Sequence, residues 1–261
     1  MGILDRFSLD SKVALVTGGS GIYGQQITSA MAEAGARTYV ASRNTEILHE
    51  LALSHQKHRR DVRALPLDLS DETSILHLHD QILDESGHID VLVNNAVSRP
   101  MKRRFEDSAE AFSDSMHVNA TGLFIITRAF GDTMASQGNG SIINVGSIHG
   151  MIGPDPTIYT GTDMSGWYPD YFFHKGGMIN FTRFTASFYG SRGVRCNCVS
   201  PGGMRTASHP ETFVKQYSER TFLGRMANDT DLMGAIIFLA SDASLYVTGT
   251  NLPVDGGYTA K

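Results

Sequence analysis

Between Lys12 and Arg43 the chain reads KVALVTGGSGIYGQQITSAMAEAGARTYVASR, and this run leaves few folds open. Val13-Ala-Leu-Val16 is a short apolar stretch suited to a strand buried on both faces. Thr17-Gly-Gly-Ser-Gly21 interrupts it. Ile27, Ala30, Met31 and Ala34 then recur at helical spacing, and Gly35 ends the stripe. Thr38-Tyr-Val-Ala41 begins a second strand. Strand, glycine turn, helix, strand is one parallel crossover unit. Its first turn is where a dinucleotide pyrophosphate lies, against N–H groups that the helix leaves unpaired. Glycine lets the backbone turn sharply and approach a ligand closely; a plain tight turn needs it too. The position, after a strand and before a helix, favours nucleotide binding.

The pattern continues. Asn44 or Thr45 can cap a helix that turns Ile47, Leu48 and Leu51 inward. Val62–Leu67 reads as a third strand, 71–86 as a helix, and Ile89–Val93 as a fourth strand. Phe112 to Gly131 reads as one long helix, Ser141–Val145 as a fifth strand, and the stretch from Tyr171 as a helix rich in aromatics. Val194–Val199, a helix over 230–240 and a strand over 249–254 complete the chain. Strands alternating with helices predict one doubly wound α/β domain over 1–261, with a mostly parallel sheet of about seven strands and helices on both faces. Two segments depart from this rhythm. Residues 149–170 are crowded with glycine, proline and aromatics and predict a substrate loop; residues 204–225 are polar and predict a mobile lid.

A formal net charge of −5 gives no reason to expect nucleic acid or an anionic membrane surface as a partner. No apolar run approaches the ~20 residues of a membrane span, and the amino end has no leader-like pattern. Cys196 and Cys198, one residue apart on a strand, make neither a disulfide framework nor a zinc site, so no metal is expected. A cytoplasmic home fits this cysteine usage.

Tyr171 and Lys175 are four apart on a helix and share a face. A phenol is too weak an acid to serve as a base at neutral pH unless a neighbouring ammonium favours the phenolate. Ser147, just past a strand end, can hold a substrate oxygen, and the Asn119 amide can hold a water or a backbone group. Singly, each has an ordinary structural reading: a surface pair, a cap, a satisfied amide. Arg43 ends the second strand, where an acidic residue would bind the ribose diol of NAD; it can instead pair with a 2′-phosphate, stack on adenine or stay solvated. Asp68 can accept from an adenine amine or cap its own turn.

In order along the chain, TGGSGIYG at 17–24, Asp68, NNA at 94–96, Asn119, Ser147, YFFHK at 171–175, SPGGMRT at 200–206 and VDGG at 254–257 resemble the short-chain dehydrogenase/reductase family, from Lys12 to Gly257. The resemblance implies a Rossmann fold, an NAD or NADP cofactor, and a catalytic tetrad of Asn119, Ser147, Tyr171 and Lys175. Tyr171 is then the acid/base, Ser147 steadies the reacting oxygen, Lys175 tunes Tyr171 and holds the nicotinamide ribose, and Asn119 supports a proton relay. The cofactor would lie along Gly18, Ser20, Gly21, Ile22, Tyr23, Gly24, Ser42, Arg43, Asp68, Leu69, Asn95, Ala96, Lys175, Pro201, Gly202, Met204 and Thr206. Arg43 leans the choice toward NADP. The family also implies a homotetramer or homodimer.

Three features depart from the family pattern. The glycine spacing is TGxxGxxG, with Ile22 where the single-domain members carry glycine; the spacing resembles that of longer sugar-nucleotide-modifying members. Val97 replaces the glycine that follows Asn94-Asn-Ala, a change expected to narrow the cleft floor or reshape the next loop. The stretch from Ser147 to Tyr171 is longer than usual, and the excess is the 153–170 loop. That loop offers Tyr159, Thr160, Thr162, Asp163, Ser165 and Trp167, with His149, Arg99 and Arg205 expected near it. His149, Tyr159, Trp167, Arg99 and Arg205 are therefore the candidate substrate contacts, unless the loop packs on a neighbouring subunit. Hydroxyls and an aromatic face suit a small polar hydroxylated or keto substrate: a sugar, sugar acid or other polyol. The expected reaction is reversible hydride transfer between NAD(P) and a secondary alcohol. The alternatives are a non-catalytic nucleotide-binding scaffold, and an epimerase or dehydratase acting on a nucleotide-linked sugar.

Overall fold

Seven parallel strands form one sheet in the order β3-β2-β1-β4-β5-β6-β7. They span Val13–Thr17 (β1), Arg37–Ser42 (β2), Val62–Pro66 (β3), Val91–Asn94 (β4), Gly140–Val145 (β5), Val194–Pro201 (β6) and Asn251–Val254 (β7). The computed structural model describes residues 2–164 and 166–261; Ser165, one of the loop hydroxyls expected near substrate, lies outside the described residues. The helices are α1 (Ile22–Glu33), α2 (Thr45–Gln56), α3 (Glu72–Ser86), α4 (Ala109–Met116), α5 (Leu123–Gln137), α6 (Pro169–Tyr189), α7 (Glu211–Ser218) and α8 (Met233–Ala240).

The period of two in β1 explains the layering. Ala14 and Val16 face one core with Ile27 and Met31 of α1, Leu48 of α2 and Ile236 and Leu239 of α8. Val13 and Leu15 face a second core with Ile75 and Ile82 of α3, Ile126 and Phe130 of α5 and Tyr189 at the end of α6. A strand covered on both sides must be apolar throughout, and all five residues of β1 are buried. The chain winds outward from β1 to β3 and then returns to β4, so the order reverses between β1 and β4. A crevice opens at the carboxyl ends of the strands beside such a reversal.

Two expectations need correction. The long helix over 112–131 is broken: α4 ends at Met116, a π-helical turn runs over His117–Gly122, and α5 follows. Met116 and Leu123, on either side of the inserted turn, are seven residues apart, a spacing that reads as uninterrupted helix in the sequence. The polar 204–225 segment is not an open excursion. It contains α7, which buries Phe213, Val214 and Tyr217 against Ile148, Ile158, Met226 and Tyr258. Arg220 pairs with Asp155 of the 149–170 loop and donates to Thr157, and Gln216 donates to the Thr160 carbonyl at 2.8 Å, so the two segments support each other. Among the described residues no helix is long and apolar enough to cross a membrane.

Candidate active site

A cleft of about 610 Å³ runs from the turn after β1, past the ends of β4 and β5, to the start of α6. Gly18 has φ +65°, and a Cβ there would sit 2.8 Å from the Ala96 Cα. A Cβ on Gly24 would run into the Gly18 carbonyl oxygen. Gly24 therefore lets α1 seat directly on the turn, and it does not itself line the cleft. Gly21 caps α1 with no side chain to satisfy its first N–H groups, which makes this helix start a fitting cradle for a phosphate. Ile22 stands in the first turn of α1 and is 58% exposed, and Val97 is 41% exposed. Both line the cleft wall without filling it. Replacing Gly24 by Ala should cost about 1–3 kcal/mol of stability, through forced displacement of the turn, and weaken dinucleotide binding; thermal unfolding with and without cofactor would measure both.

Asn95 fixes the other lip. Its side chain donates to the carbonyls of Thr17 (3.0 Å) and Gly18 (2.9 Å), while the Thr17 hydroxyl accepts the N–H of Ala96 at 3.0 Å. Tyr23 donates to the Gly202 carbonyl at 2.7 Å, and Gln26 reaches the Met204 sulfur at 3.1 Å, so α1 also holds the segment after β6. Ser20, Ser42, Arg43, Asp68, Leu69 and Pro201 line the same cleft. Asp68 does cap its own turn, accepting from the Ser70 N–H at 2.9 Å and its hydroxyl at 2.6 Å. Those two bonds, opposed by burial and aided by Arg43, hold its carboxyl below the usual range.

At the inner end, Tyr171, Lys175 and Ser147 come together. Burial raises the Tyr171 phenol, but the Lys175 ammonium, the Arg99 guanidinium and side-chain hydrogen bonds with Ser147 and Arg99 outweigh it, and the net shift is downward. Burial lowers Lys175, opposed chiefly by Tyr171. The Lys175 Nζ donates to the Val145 carbonyl and lies 5.8 Å from the Tyr171 ring centre. Ser147 accepts the His149 N–H at 3.1 Å, which fixes its backbone at the strand end. His149 stacks on Phe172 at 4.5 Å and meets the Tyr171 ring edge-on at 6.0 Å. Burial, with a contribution from Arg99, pushes its imidazole down to about 4. The buried His174, edge-on to Tyr171 at 5.2 Å, is pushed down to about 3 by burial, Lys175 and Arg99.

Asn119 sits in the π-helical turn and does not line the cleft. It accepts the Ser98 N–H at 2.9 Å and donates to the Ser98 carbonyl at 2.8 Å and to the Ser115 hydroxyl at 3.1 Å. Ser115 in turn donates to the buried Asp170 at 2.6 Å. The amide thus holds a backbone group, one of the two uses expected for it. The chain Ser98–Asn119–Ser115–Asp170 ties the loop after β4 to the first turn of α6, one residue before Tyr171. Sequence reasoning missed Ser98, Ser115 and Asp170; the buried-type position of an aspartate beside the Tyr–Lys pair was the available signal.

The expected substrate contacts divide. Arg99, His149 and Tyr159 line the cleft. Arg205 points away and pairs with Glu211 at 2.7 Å. Trp167 lies outside the cleft lining, with the Arg104 guanidinium 4.0 Å above its ring. Thr206, expected at the cofactor, instead bonds Ser208 and His209 and is also outside the lining. Asp163 does not reach the cleft either. In their place Phe213, Tyr217 and Met226 form part of the wall.

A family model described as enoyl-(acyl carrier protein) reductase, of the short-chain alcohol dehydrogenase type, matches residues 18–259. The chain is 31% identical to the D-threitol dehydrogenase of Mycolicibacterium smegmatis over 259 residues, covering 98% of this chain and 95% of that one. It is 32% identical to the cyclopentanol dehydrogenase of Comamonas testosteroni, covering 97% and 98%. The crystal structure of a gluconate 5-dehydrogenase from Burkholderia cenocepacia, in complex with NADP and tartrate, superposes with a TM-score of 0.88 at 29% identity and covers all of both chains.

Proposed function

Because this chain belongs to the short-chain dehydrogenase/reductase family, we propose that it transfers a hydride reversibly between a nicotinamide dinucleotide and a secondary alcohol or ketone of a small polyhydroxylated molecule. One observation carries the reading: a half-buried tyrosine, with Ser147 beside it and flanked by two cations, at the end of a cleft that begins at a glycine turn. The alcohol dehydrogenase relatives support the reaction, and those acting on threitol and gluconate support the substrate class. A panel of alditols, aldonates and cyclopentanol, followed by nicotinamide absorbance, tests it; turnover of cyclopentanol alone would reject the polyol assignment.

The residues that would hold the dinucleotide are those of the turn, with Arg43, Asp68, Asn95 and Ala96 toward the adenosine and Lys175, Pro201 and Gly202 toward the nicotinamide. When bound, the nicotinamide accepts or donates the hydride at the reacting carbon. In oxidation Tyr171, as the phenolate, takes the proton from the substrate hydroxyl. Ser147 donates to the same oxygen and keeps it at hydrogen-bond range. Lys175 favours the phenolate by its charge. Asn119 acts at one remove, through the loop it anchors. In reduction the same phenol returns the proton.

Arg43 supports NADP over NAD: it lines the cleft at the end of β2, where its guanidinium can pair with a 2′-phosphate. Replacing Arg43 by Ala should weaken NADPH binding by about 10- to 100-fold and leave NADH within a few-fold. Parallel titrations would show it; equal losses for both would make Arg43 an adenine contact. The phenylalanines Phe184 and Phe188, stacked 6.0 Å apart and exposed along α6, support a homotetramer or homodimer built on that helix.

A further inference from the structure

The site carries an arginine that proton transfer does not require. Arg99 follows the loop that Asn119 anchors, and its guanidinium lies 4.2 Å from the centre of the Tyr171 ring. Its charge also favours the Tyr171 phenolate. Arg103, Arg205, Arg220 and Arg225, on the neighbouring segments, each pair with a carboxylate: Asp107, Glu211, Asp155 and Asp231. Among the described residues Arg99 has no such ion pair. A guanidinium has five N–H donors in a planar fork, and lying over a ring leaves them available to the cleft.

The surroundings sharpen the point. Among the described residues Asp68, at the opposite end beside Arg43, is the only carboxylate lining the cleft. The charged groups acting on Tyr171 are both cations, Lys175 and Arg99. His149 and His174 supply no negative charge, and Asp155 is taken up by Arg220. The reacting pocket is therefore positive before substrate enters. Its cation is held in advance, since the backbone beside it is fixed by the two-way bond between Ser98 and Asn119. A neutral polyol would leave that charge uncompensated in a half-enclosed site; an anion would complete it.

We propose that Arg99 is a specificity-determining residue that selects an anionic substrate, a hydroxy acid whose carboxylate lies close to the reacting carbinol. The proximity follows from geometry: Arg99 lies over the ring that carries the proton-exchanging hydroxyl, so an acid bound to it sits near the reacting carbon and not at the far end of a long chain. The proposal rests on the reading of Tyr171 as the acid/base.

Matched pairs that differ only in one terminal group test it: threonate against threitol, and gluconate against glucitol. Each is measured for binding to the cofactor-loaded enzyme and for turnover. The wild type should favour the acid by about tenfold or more in at least one pair. Arg99→Met should erase that preference by raising KM for the acid relative to the alditol, over and above any fall in kcat common to both through Tyr171; Arg99→Lys should keep part of it. The proposal is overturned if no acid is preferred or bound. It is equally overturned if Arg99→Met lowers kcat alike on acid and alditol and leaves the ratio of their KM values unchanged, because Arg99 then acts only through Tyr171. Tyr171→Phe separates this from the parent reading: it should abolish turnover yet keep the acid preference in binding. Undiminished turnover by that variant would reject the acid/base assignment and leave the selectivity result standing.

Discussion

Tyr171→Phe should lower turnover by about 10²- to 10⁴-fold while cofactor affinity stays within a few-fold. The substitution removes one oxygen and keeps the ring, so the packing around it is preserved. His149 and His174 meet that ring edge-on, and Arg99 lies over its face. The lost atom is the one on which Ser147, Lys175 and Arg99 converge. No other side chain at the inner end can replace it: His149 and His174 are pushed down to about 4 and about 3, too weakly basic to take an alcohol proton efficiently at neutral pH. The cleft from Gly18 to Asn95 is untouched, which is why binding should survive. Steady-state rates and calorimetric cofactor titration on one preparation give both quantities. Loss of binding together with turnover would mean that the variant has disturbed the fold of α6.

The parts of this molecule that a reader of the sequence could see are those fixed by local period. The apolar runs of β1, β4 and β5 must be buried strands, and the Tyr171–Lys175 interval must share a helix face. The glycine turn was legible because strand and helix flank it. Val97 looked in one dimension like a narrowing of the cleft floor; in three it stands, with Ile22, along the wall of an open cleft. What stayed hidden depends on side-chain direction and on distant pairing. Arg205 and Trp167 are close to the site along the chain, yet Glu211 holds one and Arg104 covers the other. The bond between Asn119 and Ser98 spans 21 residues and passes through a π-helical turn that leaves no periodic trace. Helix α7 was read as part of a polar lid because Thr, Lys and Gln surround its few buried side chains.

Replacing Lys175 by Met should displace the pH profiles of both directions of reaction to higher pH, and that displacement is more informative than the loss of rate. Lys175 favours the Tyr171 phenolate by its charge. Without it the Tyr171 pKa rises, so at neutral pH a smaller fraction of enzyme holds the base that oxidation requires. An opposite charge at this range is worth one to three units, so oxidation at neutral pH should fall by about 10- to 1,000-fold and recover as pH is raised. Reduction requires the protonated phenol. Its alkaline limb marks loss of that proton, and should therefore move to higher pH in the variant. Any weakening of cofactor binding, through lost contact with the ribose, lowers both directions alike and appears in KM for the cofactor. The pH displacement separates the electrostatic effect from the binding one. Arg99 still acts on Tyr171 when Lys175 is gone, so the limbs should move further in the double variant Arg99→Met, Lys175→Met. Rate profiles that keep their shape in all three proteins would show that the two cations do not set the tyrosine's acidity.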